Sequence, residues 1–146
     1  ELTLVFTAQW FGLGGMRCSP LNAALCVILE MEVNMPIANC ILSPQVAVNS
    51  SDCTGLIEKW GKHSGIDTSE MTVTVIRSDE QMGKEYGAIC TLNLPNLWSR
   101  KSVSSLQVGL AKAISEHFSL KDTEVLIMTS LIAPGFVVEG GAEVSW

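Results

Sequence analysis

Pro36, directly after Met35, is the residue whose chemistry depends most on where the chain begins. Inside a chain a proline nitrogen is an amide with no proton and no basicity. At an amino terminus it is a secondary amine, and burial among apolar neighbours such as Ile37 disfavours its charged form and draws its pKa toward neutrality. Such a group can take a proton and give it back. As a plain residue opening a strand, the same proline would be an edge feature with no chemistry. The five cysteines, at 18, 26, 40, 53 and 90, include no CxxC pair. Free, mostly buried thiols in a reduced compartment fit this set better than a disulfide scaffold or a zinc site. His63 and His117 lack metal-ligand spacing and lie near the ends of expected helices, where a cation meets the helix dipole favourably. Asn49-Ser50-Ser51 matches a glycosylation acceptor but reads more simply as a loop entering a helix cap.

A basic nitrogen at Pro36 requires Met35 to be the start. The residues from 1 to 34 differ in character from the rest of the chain: their apolar runs are broken by Gly12, Gly14, Gly15, Pro20 and Glu30. None reaches the roughly 20 apolar residues needed to span a bilayer. Arg17 followed by Leu21 to Leu29 only faintly resembles a signal peptide, because Glu30, Glu32 and Asn34 stand where small residues should precede cleavage. Residues 1–34 are therefore expected to be an N-terminal extension outside the native domain, and residues 35–146 the domain itself. Proline is small enough for an aminopeptidase to remove the methionine before it.

Composition narrows the partners. Of 146 residues, 47% are hydrophobic and 16% charged, an apolar balance that excludes disorder and points to self-association. The formal net charge is −6, with no run of Lys or Arg, so nucleic acid and anionic membrane are not expected partners. The free cysteines and the lack of a credible export signal place the protein in the cytoplasm as an expectation.

The elements that must position Pro36 are legible in the periodicity. Residues 36–42 form a short apolar run before Ser43-Pro44, which predicts a buried strand. Ser50 or Ser51 can cap a helix with Asp52 in its first turn, and Cys53, Leu56, Ile57 and Trp60 share one face until Gly65 stops it. Residues 71–77 alternate as a second strand. Residues 87–94 predict a third, ended by Pro95-Asn96. Ser99 or Ser102 caps a second helix whose buried side carries Val103, Leu106, Leu110, Ala113, Ile114 and Phe118. Residues 124–130 form a fourth strand broken by Pro134-Gly135, and residues 136–146 fold as a hairpin around Gly140-Gly141.

The two halves repeat. Ala38, Cys40 and Leu42 recur as Ala88, Cys90 and Leu92, and His63, Ile66, Ser69, Glu70 and Met71 recur as His117, Leu120, Thr123, Glu124 and Val125. This spacing suggests a duplicated βαβ unit. Right-handed crossovers then put both helices on one face of a four-stranded sheet, an α/β (α+β) sandwich with a C-terminal β-hairpin. The other face is left bare, and association of subunits would cover it.

This pattern, opened by Pro36-Ile37, resembles the tautomerase superfamily, and more specifically its macrophage migration inhibitory factor branch. The segments that carry the resemblance are Pro36-Ile37, Ser64-Gly65-Ile66 through Val75, Ala88-Ile89-Cys90-Thr91-Leu92, and Leu110 through Ile127, in that order across the whole domain. The resemblance implies the tautomerase fold, a homotrimer with active sites at subunit interfaces, and no cofactor. It implies keto–enol tautomerisation of a small keto acid or aromatic compound, of the phenylpyruvate or dopachrome type, with Pro36 as acid and base. The site residues carried over are Pro36 for catalysis and Ile37, Ile66, Pro95 and Met128 around the substrate.

Several of these positions differ chemically from the family's pattern. Ile66 stands where the family has a carboxylate-binding Lys, and Pro95 stands where it offers a backbone N–H. Leu126 and Met128 take the places of a Tyr and an Asn. Lys62 or Arg77 is left to meet a substrate carboxylate, and Arg77 is the better bidentate partner, although a solvated strand-end charge is its ordinary role. Cys90 matches the second cysteine of a CxxC found in some members, but Gly87 replaces the first, so thiol–disulfide activity is not expected. A non-catalytic trimer that binds a protein or a small apolar ligand is the competing function.

Overall fold

A computed structural model describes residues 35–48 and 53–146. The expected extension at residues 1–34, the acceptor motif at Asn49 and the caps at Ser50, Ser51 and Asp52 lie outside the described residues. Strand β1 is Ile37–Leu42, helix α1 Cys53–Ser64, β2 Thr72–Arg77, β3 Ala88–Pro95, helix α2 Arg100–Phe118 and β4 Val125–Ile132. A 3₁₀ turn at Asp122–Glu124 precedes β4, and the short strands β5 (Val138–Glu139) and β6 (Ala142–Glu143) form a separate two-stranded hairpin.

The sheet order is β2-β1-β3-β4, with β1 parallel to β2, β3 parallel to β4, and β1 antiparallel to β3. These are two βαβ units laid side by side, the topology expected from the duplicated sequence. Cys40 and Cys90, equivalent in the two repeats, are also each other's register partners. The approximate two-fold axis relating the halves therefore passes between them.

Alternation along the strands sorts the side chains onto two faces. Ala38, Cys40 and Leu42 of β1 and Ala88, Cys90, Leu92 and Leu94 of β3 are fully buried beneath the helices. Leu56 and Trp60 of α1 and Leu106, Leu110, Ala113 and Ile114 of α2 complete this core. The helices are joined by a buried hydrogen bond in which Trp60 Nε1 donates to the Leu106 carbonyl at 2.9 Å, satisfying the indole where it leaves water. Ser99 caps α2, its Oγ accepting from the Ser102 N–H, and Ser119 ends the helix in the left-handed region. Gly65 closes α1 at φ +70°, a conformation that costs glycine nothing.

Among the described residues the opposite face carries no helix. From the register, Ile76, Ile41, Ile89 and Leu126 form one aliphatic row across all four strands. Thr74, Asn39, Thr91 and Met128 form the next row, and Thr72, Ile37, Asn93 and Ser130 the third. Ile76, Met128 and Ile41 are 50%, 49% and 42% exposed, far too open for the interior of a finished particle.

Several observed boundaries differ from expectation: β1 begins at Ile37 rather than Pro36, β3 at Ala88 rather than Gly87, and β4 runs on past Ser130 to Ile132. Met71 is buried just ahead of β2 rather than within it. Glu124 belongs to the 3₁₀ turn, because its carboxylate accepts the Lys121 N–H at 2.7 Å and curls the backbone there. β3 runs through Pro95 instead of stopping before it, paired with Ile132. Asn96 donates to the Ile132 carbonyl at 2.9 Å, so the Pro95 nitrogen faces the other way, past the end of β1 where no ladder bond is owed.

Candidate functional site

Pro36 is fully buried at the lip of β1, and its carbonyl accepts the Thr72 N–H at 3.0 Å, which fixes it to the start of β2. Its neighbours on both sides, Met35 and Ile37, are half-buried and form part of the wall of a narrow cleft. The rest of the wall comes from Asn93, Leu94 and Pro95 at the end of β3, Ile132 at the end of β4, and Val137, Val144 and Trp146 of the C-terminal hairpin region. The cleft is small, with a cavity volume of about 40 Å³.

The hairpin reaches this place through a few bonds. Gly135 N–H donates to the Val144 carbonyl at 3.1 Å and Val144 N–H to the Val137 carbonyl at 2.8 Å. Trp146 Nε1 donates to Asn96 Oδ1 at 3.0 Å, which lays the last side chain of the chain beside the end of β3. Gly135 at φ +80° and Gly140 and Gly141 at φ +59° and +86° make the reversals that a side chain would resist.

Among the described residues the wall is apolar and bears no charged side chain. Asn93 is its one polar side chain besides the engaged indole of Trp146, and the Asn93 amide has no hydrogen-bond partner among the described residues. Two expected substrate residues, Ile37 and Pro95, meet here on either side of the cleft. Ile66 lies elsewhere, half-buried against the helix-side core, and Met128 stands on the bare face of the sheet. Arg77 pairs with Leu42 at the far end of β1, and its guanidinium donates to the Pro44 carbonyl at 2.8 Å. Asn93, Ile132, Val137, Val144 and Trp146 were not singled out from the sequence. Their common signal is weak, since it lies in where a terminal hairpin docks and not in any local spacing.

The titratable groups with displaced equilibria lie away from the cleft. The hydrogen bond that the Cys90 thiol donates to Cys40, then burial and repulsion by Cys40, push the Cys90 thiol well above the ordinary thiol range. Both thiols are free and buried. Glu116 is held below the usual carboxylate range chiefly by His63, whose Nε2 lies 2.8 Å from Oε2, with Lys59 3.9 Å from its other oxygen. His63 thus ties the end of α1 to α2, the structural role expected of it. His117 packs edge-on against Phe118. Among the described residues no cluster of His, Cys, Asp or Glu could hold a metal ion, and no helix is long and apolar enough to cross a membrane.

No family model matches the sequence, and comparison with curated proteins finds no match. Solved structures do resemble it. A fused 4-OT wild-type symmetric trimer aligns with a TM-score of 0.59 at 16% identity, covering 73% of this chain and 94% of that one. The macrophage migration inhibitory factor of Toxoplasma gondii aligns at 0.54 and 12% identity, covering 73% and 98%. That of Oncomelania hupensis aligns at 0.56 and 13%, covering 77% and 97%. The chain shares the tautomerase-superfamily fold with these proteins.

Proposed function

We propose that this chain, carrying the tautomerase fold, is a cofactor-independent keto–enol tautomerase whose acid and base is the amino-terminal nitrogen of Pro36 once Met35 and everything before it are absent. The observation that carries this reading is the cleft's position: the residues flanking Pro36 form its wall, so removing Met35 both frees the nitrogen and opens the wall beside it. The surrounding Ile37 and Pro95 favour the neutral amine, the form that accepts a proton. The nitrogen takes the proton from the carbon next to the substrate carbonyl, leaving an enolate, and the resulting ammonium returns a proton to the enolate oxygen. The reverse sequence ketonises an enol. Substrates of the phenylpyruvate or dopachrome type suit the apolar wall, in a cleft that loss of Met35 widens.

The reading includes a homotrimer. Its support is the helix-free sheet face with its row of Ile76, Ile41, Ile89 and Leu126, together with the trimeric state of the fused 4-OT of the same fold. Cytoplasmic residence belongs to the same reading and is supported by the free Cys40 and Cys90. Loss of enol absorbance with phenylpyruvate tests the activity. The protein beginning at Pro36 is expected to exceed its Pro36→Gly variant by at least about 100-fold, the usual worth of a positioned acid–base group. Equal rates would leave the second reading, a non-catalytic trimer that binds an apolar ligand, which the absence of any cation in the cleft wall favours.

A further inference from the structure

The charges of the described residues are arranged so that none reaches the cleft. Arg77 is spent on the Pro44 carbonyl, five residues along the β1–β2 ladder from the Ile37 and Thr72 pair, about 17 Å at the usual rise of a strand. Lys59 lies beside Glu116 and Lys84 sits over the Tyr86 ring at 4.9 Å. The helix-free face is equally uncharged: its three rows across four strands contain only Ile, Leu, Met, Thr, Asn and Ser. Those rows therefore offer no cation to a second copy seated through that face. Pro95 offers no N–H, and the Trp146 indole is already committed to Asn96. A carboxylate entering this wall loses water and gains at most one amide donor, a poor exchange for a charge. A neutral carbonyl oxygen needs only that one donor.

We infer that the cleft selects an uncharged aryl carbonyl compound, a ketone or ester, over a carboxylate, and that the Asn93 side-chain amide is the donor to its carbonyl oxygen. The inference rests on the tautomerase reading for its substrate and on the cleft's wall for its selectivity. Asn93 is half-buried on the cleft side of β3, opposite Ile37 in the ladder and so next to the strand that Pro36 begins. That register sets a donor one ladder position from the proposed base, and a donor to the carbonyl oxygen is what a developing enolate requires.

The test uses the protein beginning at Pro36 with phenylpyruvate and its methyl ester, followed by enol absorbance. The ester is expected to have the higher kcat/KM by about ten-fold or more, as exclusion of an unpaired charge predicts. Asn93→Ala is expected to lower kcat on the ester by about 100-fold, the worth of one donor to a developing oxyanion. Asn93→Lys is expected to reverse the preference toward the acid, and far-UV circular dichroism verifies that both variants fold. A preference for the acid in the unaltered protein would overturn the inference. If neither compound is turned over, the tautomerase reading fails separately, and quenching of tryptophan fluorescence decides the selectivity. Tighter binding of the ester upholds it, and equal or tighter binding of the acid overturns it.

Discussion

The carboxylate of Glu116 is held down by the His63 ring first and by Lys59 and Lys62 after it, all on the solvent side of the helices. A carboxylate whose folded pKa is depressed adds stability above its ordinary value of 4.5 and loses that contribution as pH falls through the lowered folded value. Glu116→Gln is therefore expected to lower Tm slightly at pH 7, with the difference from the parent shrinking in thermal melts as pH falls below 4.5. The proposed site residues behave differently, because what matters at Pro36 is covalent. Pro36 and Ile37 could be found from sequence because a Met-Pro start followed by an apolar run is a local pattern. Pro95 enters the candidate site only through the family resemblance, and its reading as a break in the pattern hid that β3 continues through it. Asn93 could not be found, since one asparagine in a strand has no signal until the hairpin closes over it.

Elements were more legible than residues, and the reason is periodicity. Leu56 and Trp60 on α1 and Leu106, Leu110, Ala113 and Ile114 on α2 announce buried faces by their spacing, and all are buried. What spacing does not disclose is how closely the helices approach. Gly109 sits where α2 meets the end of α1, and a Cβ there would lie 2.8 Å from the Ser64 nitrogen and 2.9 Å from its Cα. Backbone cannot step aside as a side-chain tip can. Gly109→Ala, which would stabilise an isolated helix, is thus expected to destabilise this protein by about 1–3 kcal/mol, measured by urea denaturation. A more stable variant would show that the seam between α1 and α2 is looser than its glycine implies. The hairpin illustrates the opposite limit. Its glycines mark the turn at Gly140-Gly141 plainly, but its docking on the ends of β3 and β4 depends on contacts such as Trp146 to Asn96, fifty residues apart in sequence.

At the scale of the molecule, duplication explains the most. Two βαβ units related by an axis through Cys40 and Cys90 place both helices on one side, so among the described residues the sheet's other side has no covering layer. The repeat and the apolar composition made this consequence readable from the sequence alone. The row structure of the bare face, aliphatic at one end and polar toward the cleft, required the register. In the proposed trimer, Ile41→Glu sets a charge in the middle of the aliphatic row. It is expected to shift sedimentation from three times the chain mass to one, because a buried unpaired carboxylate costs more than one subunit contact returns. An unchanged trimer would move the interface elsewhere.

All of the chemistry returns to a single covalent question, whether the protein made in its own cells begins at position 36. Intact mass spectrometry of that native protein answers it. Catalysis by Pro36 predicts one species with the mass of residues 36–146. A species that retains Met35, or any residue before it, would leave the nitrogen of Pro36 an amide and contradict the proposed catalysis.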